Sequence, residues 1–229
     1  PELSSLKKNY KFSFFFQKLA KFRKFKNIVI IGMGGSILGT KSIYSFLKNK
    51  IKKNIFFINN LDKNLLLNYK KNFSKKTCFL IISKTGNTPE TIINLKLLLK
   101  KYSIKNNSIV ITENKKSFLF DILKILDSTF IEHNKFIGGR YSVLSEVGIV
   151  PSILMNLQIK KFINCDILKN KKDRNLLVKN VARILTLHNM GYKNSVLLIY
   201  NSELLDLGYW YQQLVGESLG KKGKGILPV

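Results

Sequence analysis

Acidic residues are scarce in this 229-residue chain: 13 Asp and Glu stand against 40 Lys and Arg, a formal charge of +27. A charge of that size invites a nucleic-acid reading. The lysines argue against it. They are scattered through predicted helices and loops, and they travel with Asn and Ile, as in Lys48-Asn49-Lys50-Ile51-Lys52-Lys53-Asn54. That pattern marks a composition bias filling solvated faces, so no specific nucleic-acid partner is expected, although a positive field attracts anionic substrates. Cysteine is nearly absent. Cys78 and Cys165 lie far apart with no CxxC spacing, and Cys78 sits inside an apolar run as a small core residue. A reducing, cytoplasmic location fits. No apolar run approaches the roughly 20 residues needed to cross a bilayer, so no membrane partner is expected. The start, Pro1-Glu2-Leu3-Ser4, lacks both a signal-peptide plan and an initiator Met, and reads as a cut fragment.

What is present is 45% hydrophobic, enough for one large domain or two small ones. Short apolar runs alternate with helical stretches from residue 27 onward. Strands are predicted at Asn27–Ile31, Asn54–Ile58, Thr77–Ile82, Ser108–Thr112 and Thr129–Glu132, with helices near 38–48, 62–72, 88–102 and 115–126. Strands apolar on both faces belong in a parallel sheet between helical layers. The expected fold is therefore α/β, a doubly wound five-stranded parallel sheet over residues 1–137. Gly138-Gly139-Arg140 breaks the pattern. A helical connection (138–193, with helices near 144–158 and 173–190) is followed by a strand at Ser195–Tyr200 and a helix from about Asp206 to Gly220. Residues 194–229 read as the start of a second, incomplete α/β unit.

Two turns carry chemistry. The first, Gly32-Met33-Gly34-Gly35-Ser36, follows strand one directly. A dinucleotide site competes here, but Gly32-x-Gly34-x-x-Ile37 lacks the third glycine, and strand two ends in Ile58-Asn59-Asn60 without the expected acid. The second turn, Ser83-Lys84-Thr85-Gly86-Asn87-Thr88, lies between strand three and a helix start at Pro89. Free backbone N–H groups and the helix dipole suit that place to a phosphate. Taken alone, the turn serves equally well as a Ser/Thr-rich helix cap.

Four segments in fixed order, GMGGSILG, SKTGNTPET, GGRYSVLSEVG and QQLVGESLGKKGKG, together resemble the phosphoglucose isomerase family, built from two sugar-isomerase (SIS) domains. The resemblance runs from about residue 27 to the last residue. It implies a sugar-phosphate substrate, interconversion of glucose 6-phosphate and fructose 6-phosphate through a cis-enediolate, a cytoplasmic homodimer, and no metal or organic cofactor. It further implies that Ser83, Lys84, Thr85 and Thr88 grip the phosphate and that Gly35, Ser36, Gly139 and Gln213 contact the substrate. Glu217 becomes the base that shuttles a proton between C1 and C2, and Arg140 the cation that stabilises the enediolate. Removing a weakly acidic C–H proton needs such a carboxylate and such a fixed cation. The family's ring-opening histidine and late lysine lie beyond the ESxGK motif and have no counterpart here, so the fragment is expected to bind substrate poorly. His133 and His188 match no motif position.

Plainer readings stand beside these. Glu217 could be a solvated helix carboxylate, Arg140 could pair with Glu132 or Glu146, and Trp210 and Tyr211 could be core residues. A non-catalytic SIS module that senses a sugar phosphate would keep Ser83–Thr88 and dispense with Arg140 and Glu217.

Overall fold

The structure, a computed structural model, describes residues 4–6, 10–62, 64, 69, 73, 76–160 and 170–229. Its centre is a five-stranded parallel sheet of β1 (Asn27–Ile31), β2 (Asn54–Ile58), β3 (Thr77–Ile82), β4 (Ser108–Thr112) and β5 (Thr129–Glu132). The strand order is β2-β1-β3-β4-β5, and every pairing is parallel. These are the strands expected from the apolar runs. β1, β3 and β4 are buried at every residue, as strands covered on both faces must be.

The side-chain period of two sorts each strand onto two cores. Ile28, Ile30, Cys78, Leu80, Ile82, Ile109 and Ile111 point to one face, with Leu19, Phe22 and the helix α4 (Glu146–Leu154). Val29, Ile31, Phe79, Ile81 and Val110 point to the other, against the helices α2 (Pro89–Leu99) and α3 (Phe118–Leu126). The helix α1 (Leu38–Leu47) joins the first face, where Thr40 Oγ1 donates to Val147 O at 3.3 Å. The helix expected over 62–72 falls mostly outside the described residues, as does Cys165.

Beyond the sheet one expectation changes. A strand over Ser195–Tyr200 shortens to β6 (Asn194–Ser195), which pairs in parallel with β7 (Leu227–Pro228). Beyond β6 the backbone pairing continues to Leu197, whose N–H donates to Val229 O at 2.8 Å. The long helix α5 (Lys171–Asn189) buries no residue against the rest of the described chain, leaving Leu176, Leu177, Val181 and Leu185 exposed. The helix α6 (Leu205–Leu219), by contrast, lies along α1. Asp206 anchors it, accepting a hydrogen bond from Ser45 Oγ and pairing with Lys41 Nζ at 3.2 Å. Asn49 Nδ2 donates to Glu203 Oε1 at 3.1 Å one turn earlier. This docking brings residues after 205 to the carboxyl end of the sheet. No helix among the described residues is long and apolar enough to cross a membrane.

Candidate active site

In an open parallel sheet the crevice forms beyond the strands' carboxyl ends, where the winding direction reverses. Here the reversal lies between β1 and β3, since β1 has β2 on one side and β3 on the other. The turns after β1 and after β3 flank that point. They touch: a Cβ on Gly32 would stand 3.1 Å from Ile82 O, the residue before Ser83, and 3.2 Å from Ser36 Cβ.

The turn after β3 holds the candidate phosphate anchor. Ser83 and Thr88 hydroxyls meet at 2.7 Å, and Gly86 N–H donates to Ser83 Oγ at 3.2 Å. Gly86 adopts φ +73°, and a Cβ there would collide with Ser117 and stand 2.9 Å from Thr112 Oγ1. Only glycine meets both demands. Thr88 has the extended backbone of an N-cap, yet its side chain makes no capping hydrogen bond to α2. Its hydroxyl is turned into the turn instead, which removes the simplest capping explanation. Thr85 is exposed at the tip, where its Oγ1 accepts from Asn87 N–H at 3.3 Å. Lys84 is placed differently from its neighbours. Its ammonium donates to Lys135 O at 2.9 Å and lies 3.8 Å from Glu113, which also pairs with Lys115. The lysine side chain thus reaches across to the ends of β4 and β5.

The turn after β1 makes the second contact. Gly35 packs backbone to backbone against Gly139: a Cβ on Gly35 would lie 2.5 Å from Gly139 O, and nearer still to Gly139 C and Arg140 N. Ser142 Oγ stitches the two, 3.3 Å from Gly35 O and 2.6 Å from Gly139 O. Residues Gly139–Leu144 form a 3-10 turn that carries Arg140. Ser36, buried, sits at the end of the first turn.

α6 closes the constellation. Trp210, Gln213 and Glu217 are spaced so that one helix face presents all three. Trp210 Nε1 donates to the Arg140 carbonyl at 3.1 Å, so its polar edge has a specific partner rather than a purely apolar surround. Arg140 Nη1 donates to Glu217 Oε2 at 3.2 Å, and Gln213 Nε2 donates to Glu217 Oε1 at 2.9 Å. Gln213 also lies against the first turn, where a Cβ on Gly34 would stand 2.6 Å from its Nε2. Its Oε1 is buried with no hydrogen-bond partner among the described residues. Arg140 therefore pairs with Glu217 and not with Glu132 or Glu146. Glu146, the first residue of α4, is buried and accepts from Tyr10 OH at 2.9 Å and from Ser13 N–H at 2.9 Å. The Arg140–Glu217 pair is half-exposed, so it adds less than about 1 kcal/mol to stability; its significance is positional.

Burial pulls the Arg140 pKa down, but contacts with Tyr141 and Glu217 more than offset this, leaving a guanidinium that is charged at any working pH. His133, one residue past β5, is buried, and burial lowers its pKa. The hydrogen bond between its Nδ1 and Asn134 O (3.0 Å) opposes that, while nearby Lys84 lowers it further and Glu113 raises it. No cluster of metal-ligating side chains occurs among the described residues.

The structure thus gathers Gly35, Gly139, Arg140, Gln213 and Glu217 into one contact group and joins it through Gly32 and Ser36 to Ser83–Thr88. Two participants were not singled out from sequence. Ser218 Oγ accepts from Arg140 Nε at 2.8 Å and lies 2.7 Å from Tyr141 OH. Both flank residues that were singled out, so adjacency within the GGRYS and ESLGK motifs was the available signal.

Comparison with known proteins bears on the family and the fold. The family model described as phosphoglucose isomerase matches residues 16–225. Glucose-6-phosphate isomerase of Methanocaldococcus jannaschii is 35% identical over 221 residues, covering 90% of this chain and 53% of the relative. That of Borreliella afzelii is 35% identical over 231 residues, covering 89% of this chain and 42% of the relative. Among solved structures, a glucose-6-phosphate isomerase from Chlamydia trachomatis superposes with a TM-score of 0.72 at 26% identity, over 92% of this chain and 45% of that one. A hypothetical protein from Thermus thermophilus shares the fold with a TM-score of 0.80 at 24% identity, over 93% and 56%. The chain spans about half the length of the relatives it matches. On the family match and the identity across nine-tenths of its residues, the chain belongs to the phosphoglucose isomerase family.

Proposed function

We propose that this chain carries the phosphate anchor and the proton-transfer pair of an aldose–ketose isomerase that interconverts glucose 6-phosphate and fructose 6-phosphate. The observation that carries the reading is the contact of Arg140 with Glu217 across 77 residues of sequence, beside Gln213 and the glycine turns. A sensor of sugar phosphate has no use for that pair; an isomerase needs both members.

In this reading the substrate phosphate lies on the Ser83–Thr88 turn, facing the hydroxyls of Ser83, Thr85 and Thr88. Lys84 contributes through the turn backbone and the local positive field, since its ammonium is engaged by Lys135 O and Glu113. Binding energy gathered there orients the reacting carbons. Gly35, Ser36 and Gly139 let the sugar approach the backbone closely. Glu217 takes the proton from C2 of the aldose and returns it to C1. Arg140 leaves Glu217 and faces the oxyanion as charge develops on it, while Gln213 keeps hold of the other carboxylate oxygen. The substrate class, a homodimeric assembly and a cytoplasmic location belong to the same proposal.

Turnover of the full-length protein, measured in both directions by coupled assay, wild type against Glu217→Gln, tests it. General-base catalysis is worth about 10²–10⁴-fold, so kcat falls by that factor while KM changes little. A Glu217→Gln protein with more than a tenth of wild-type kcat overturns the role given to Glu217.

A further inference from the structure

We propose that Ser218, backed by Tyr141, is a positioning residue that sets the guanidinium of Arg140 for the isomerisation; this rests on the function proposed above. Arg140 is gripped at three points that are not substrate. Its Nε donates to Ser218 Oγ at 2.8 Å, its guanidinium carbon lies 4.9 Å from the centre of the Tyr141 ring, and its carbonyl accepts from Trp210 Nε1 at 3.1 Å. Tyr141 OH in turn holds Ser218 Oγ at 2.7 Å. The hydroxyl, the ring and the indole together define where the side chain sits and how its plane is turned.

The choice of Nε matters. A guanidinium tethered only at a terminal nitrogen swings about Cδ–Nε, carrying the other terminal nitrogen through several ångströms. Tethered at Nε and stacked on a ring, it keeps its plane, and the terminal groups become the part free to exchange partners. In the structure one of them, Nη1, is bound to Glu217 Oε2 at 3.2 Å. That contact is the one substrate must replace. The clamp therefore separates two tasks: Ser218 and Tyr141 hold the cation in place, and Glu217 holds its business end until an oxyanion arrives.

The chemistry of the tether is as telling as its place. A carboxylate on Nε would hold Arg140 more tightly but would neutralise it, and the cation would have less field left for the developing oxyanion. A neutral hydroxyl fixes direction and leaves the charge intact. Ser218 also follows Glu217 in α6, so one helical turn carries both the base and the tether of the cation. Any movement of α6 shifts the two together and preserves their spacing.

The test compares Ser218→Ala, Ser218→Thr and Tyr141→Phe with wild type in the full chain. The first reading is by NMR. With only four arginines in the sequence, the Arg140 Nε–H signal is assignable; it is slow to exchange in wild type and Ser218→Thr, and lost in Ser218→Ala. The second reading is kinetic and uses the same variants in the full-length protein. Misplacement of a catalytic group costs about 10–10²-fold, so Ser218→Ala loses that much kcat with KM within about twofold. Ser218→Thr, which keeps the hydroxyl, returns to within about threefold of wild type, and Tyr141→Phe falls between the two. A protected Arg140 Nε–H signal in Ser218→Ala overturns the clamp. So does a Ser218→Ala kcat within twofold of wild type, or a threonine variant no better than alanine. A full-length wild type that turns over neither sugar phosphate counts against the isomerase reading instead, and the Nε–H signal then decides the clamp by itself.

Discussion

Replacing Gly35 by alanine probes the joint on which the candidate site depends. The added Cβ would lie 2.5 Å from Gly139 O, with Gly139 C and Arg140 N closer, whereas ordinary contact begins near 3.4 Å. All three neighbours are backbone atoms, so no side-chain rotation relieves the clash. The two turns must part by about 1 Å. That stretches the contact between Ser142 Oγ and Gly35 O, now 3.3 Å, and carries Arg140 away from its partners on α6. Overpacking of this kind costs about 1–3 kcal/mol, and a chain of this length loses about 2–4 °C in Tm per kcal/mol. Displacing a catalytic group by about 1 Å costs about 10²-fold in turnover. Gly216→Ala is the control. Nothing among the described residues lies within 4 Å of a Cβ there, and alanine inside a helix is favoured over glycine by about 0.5–1 kcal/mol. Urea unfolding and the coupled isomerase assay read both variants. A Gly35→Ala protein that matched wild type in unfolding midpoint and in kcat would refute the close-packed joint.

Two further predictions concern titratable groups, one buried and one half-buried. His133 has a lowered pKa in the folded protein, so the folded state resists a proton that the unfolded chain accepts near 6.5. Its contribution to stability is present above pH 6.5 and is lost as pH falls below it, and His133→Gln flattens that acid limb in urea unfolding at pH 5 to 7.5. Tyr10 shows the opposite case. Burial first, then the charge and hydrogen bond of Glu146, push its phenol pKa above the ordinary 10.0. Stability from this group is intact below pH 10 and is lost as pH rises beyond it. Tyr10→Phe removes that alkaline slope and, by taking a donor from the buried Glu146 carboxylate, costs about 1–3 kcal/mol at pH 7 by urea unfolding.

The parts of the fold that could be read in advance are those whose signals are local. Five apolar runs gave the bounds of β1 to β5, because a polar residue (Asn27, Asn54, Thr77, Ser108, Thr129) marks where each run begins. The glycine and hydroxyl turns could be placed because a strand-to-helix turn has its own chemistry. The strand expected over Ser195–Tyr200 is the exception: strand bounds depend on a paired neighbour as well as on an apolar run, and β6 pairs with β7 only at Asn194 and Ser195. Lys84 was expected at the phosphate with its turn; its ammonium went to Glu113 and Lys135 O because the ends of β4 and β5 lie within its reach.

The sequence by itself determined the layered α/β sheet, the place of the Ser83–Thr88 turn, and the motifs that singled out Arg140, Gln213 and Glu217. Each strand, turn and motif is a local stretch of sequence. Only the tertiary structure decided which residues meet. Arg140 takes Glu217 rather than the nearer Glu132 or Glu146, because Glu146 is already held by Tyr10 and Ser13 and because Lys41 and Ser45 dock α6 on α1. Ser218 and Tyr141 acquire a role for the same reason. Partnerships across more than seventy residues are set by packing between elements, and no window of sequence records them.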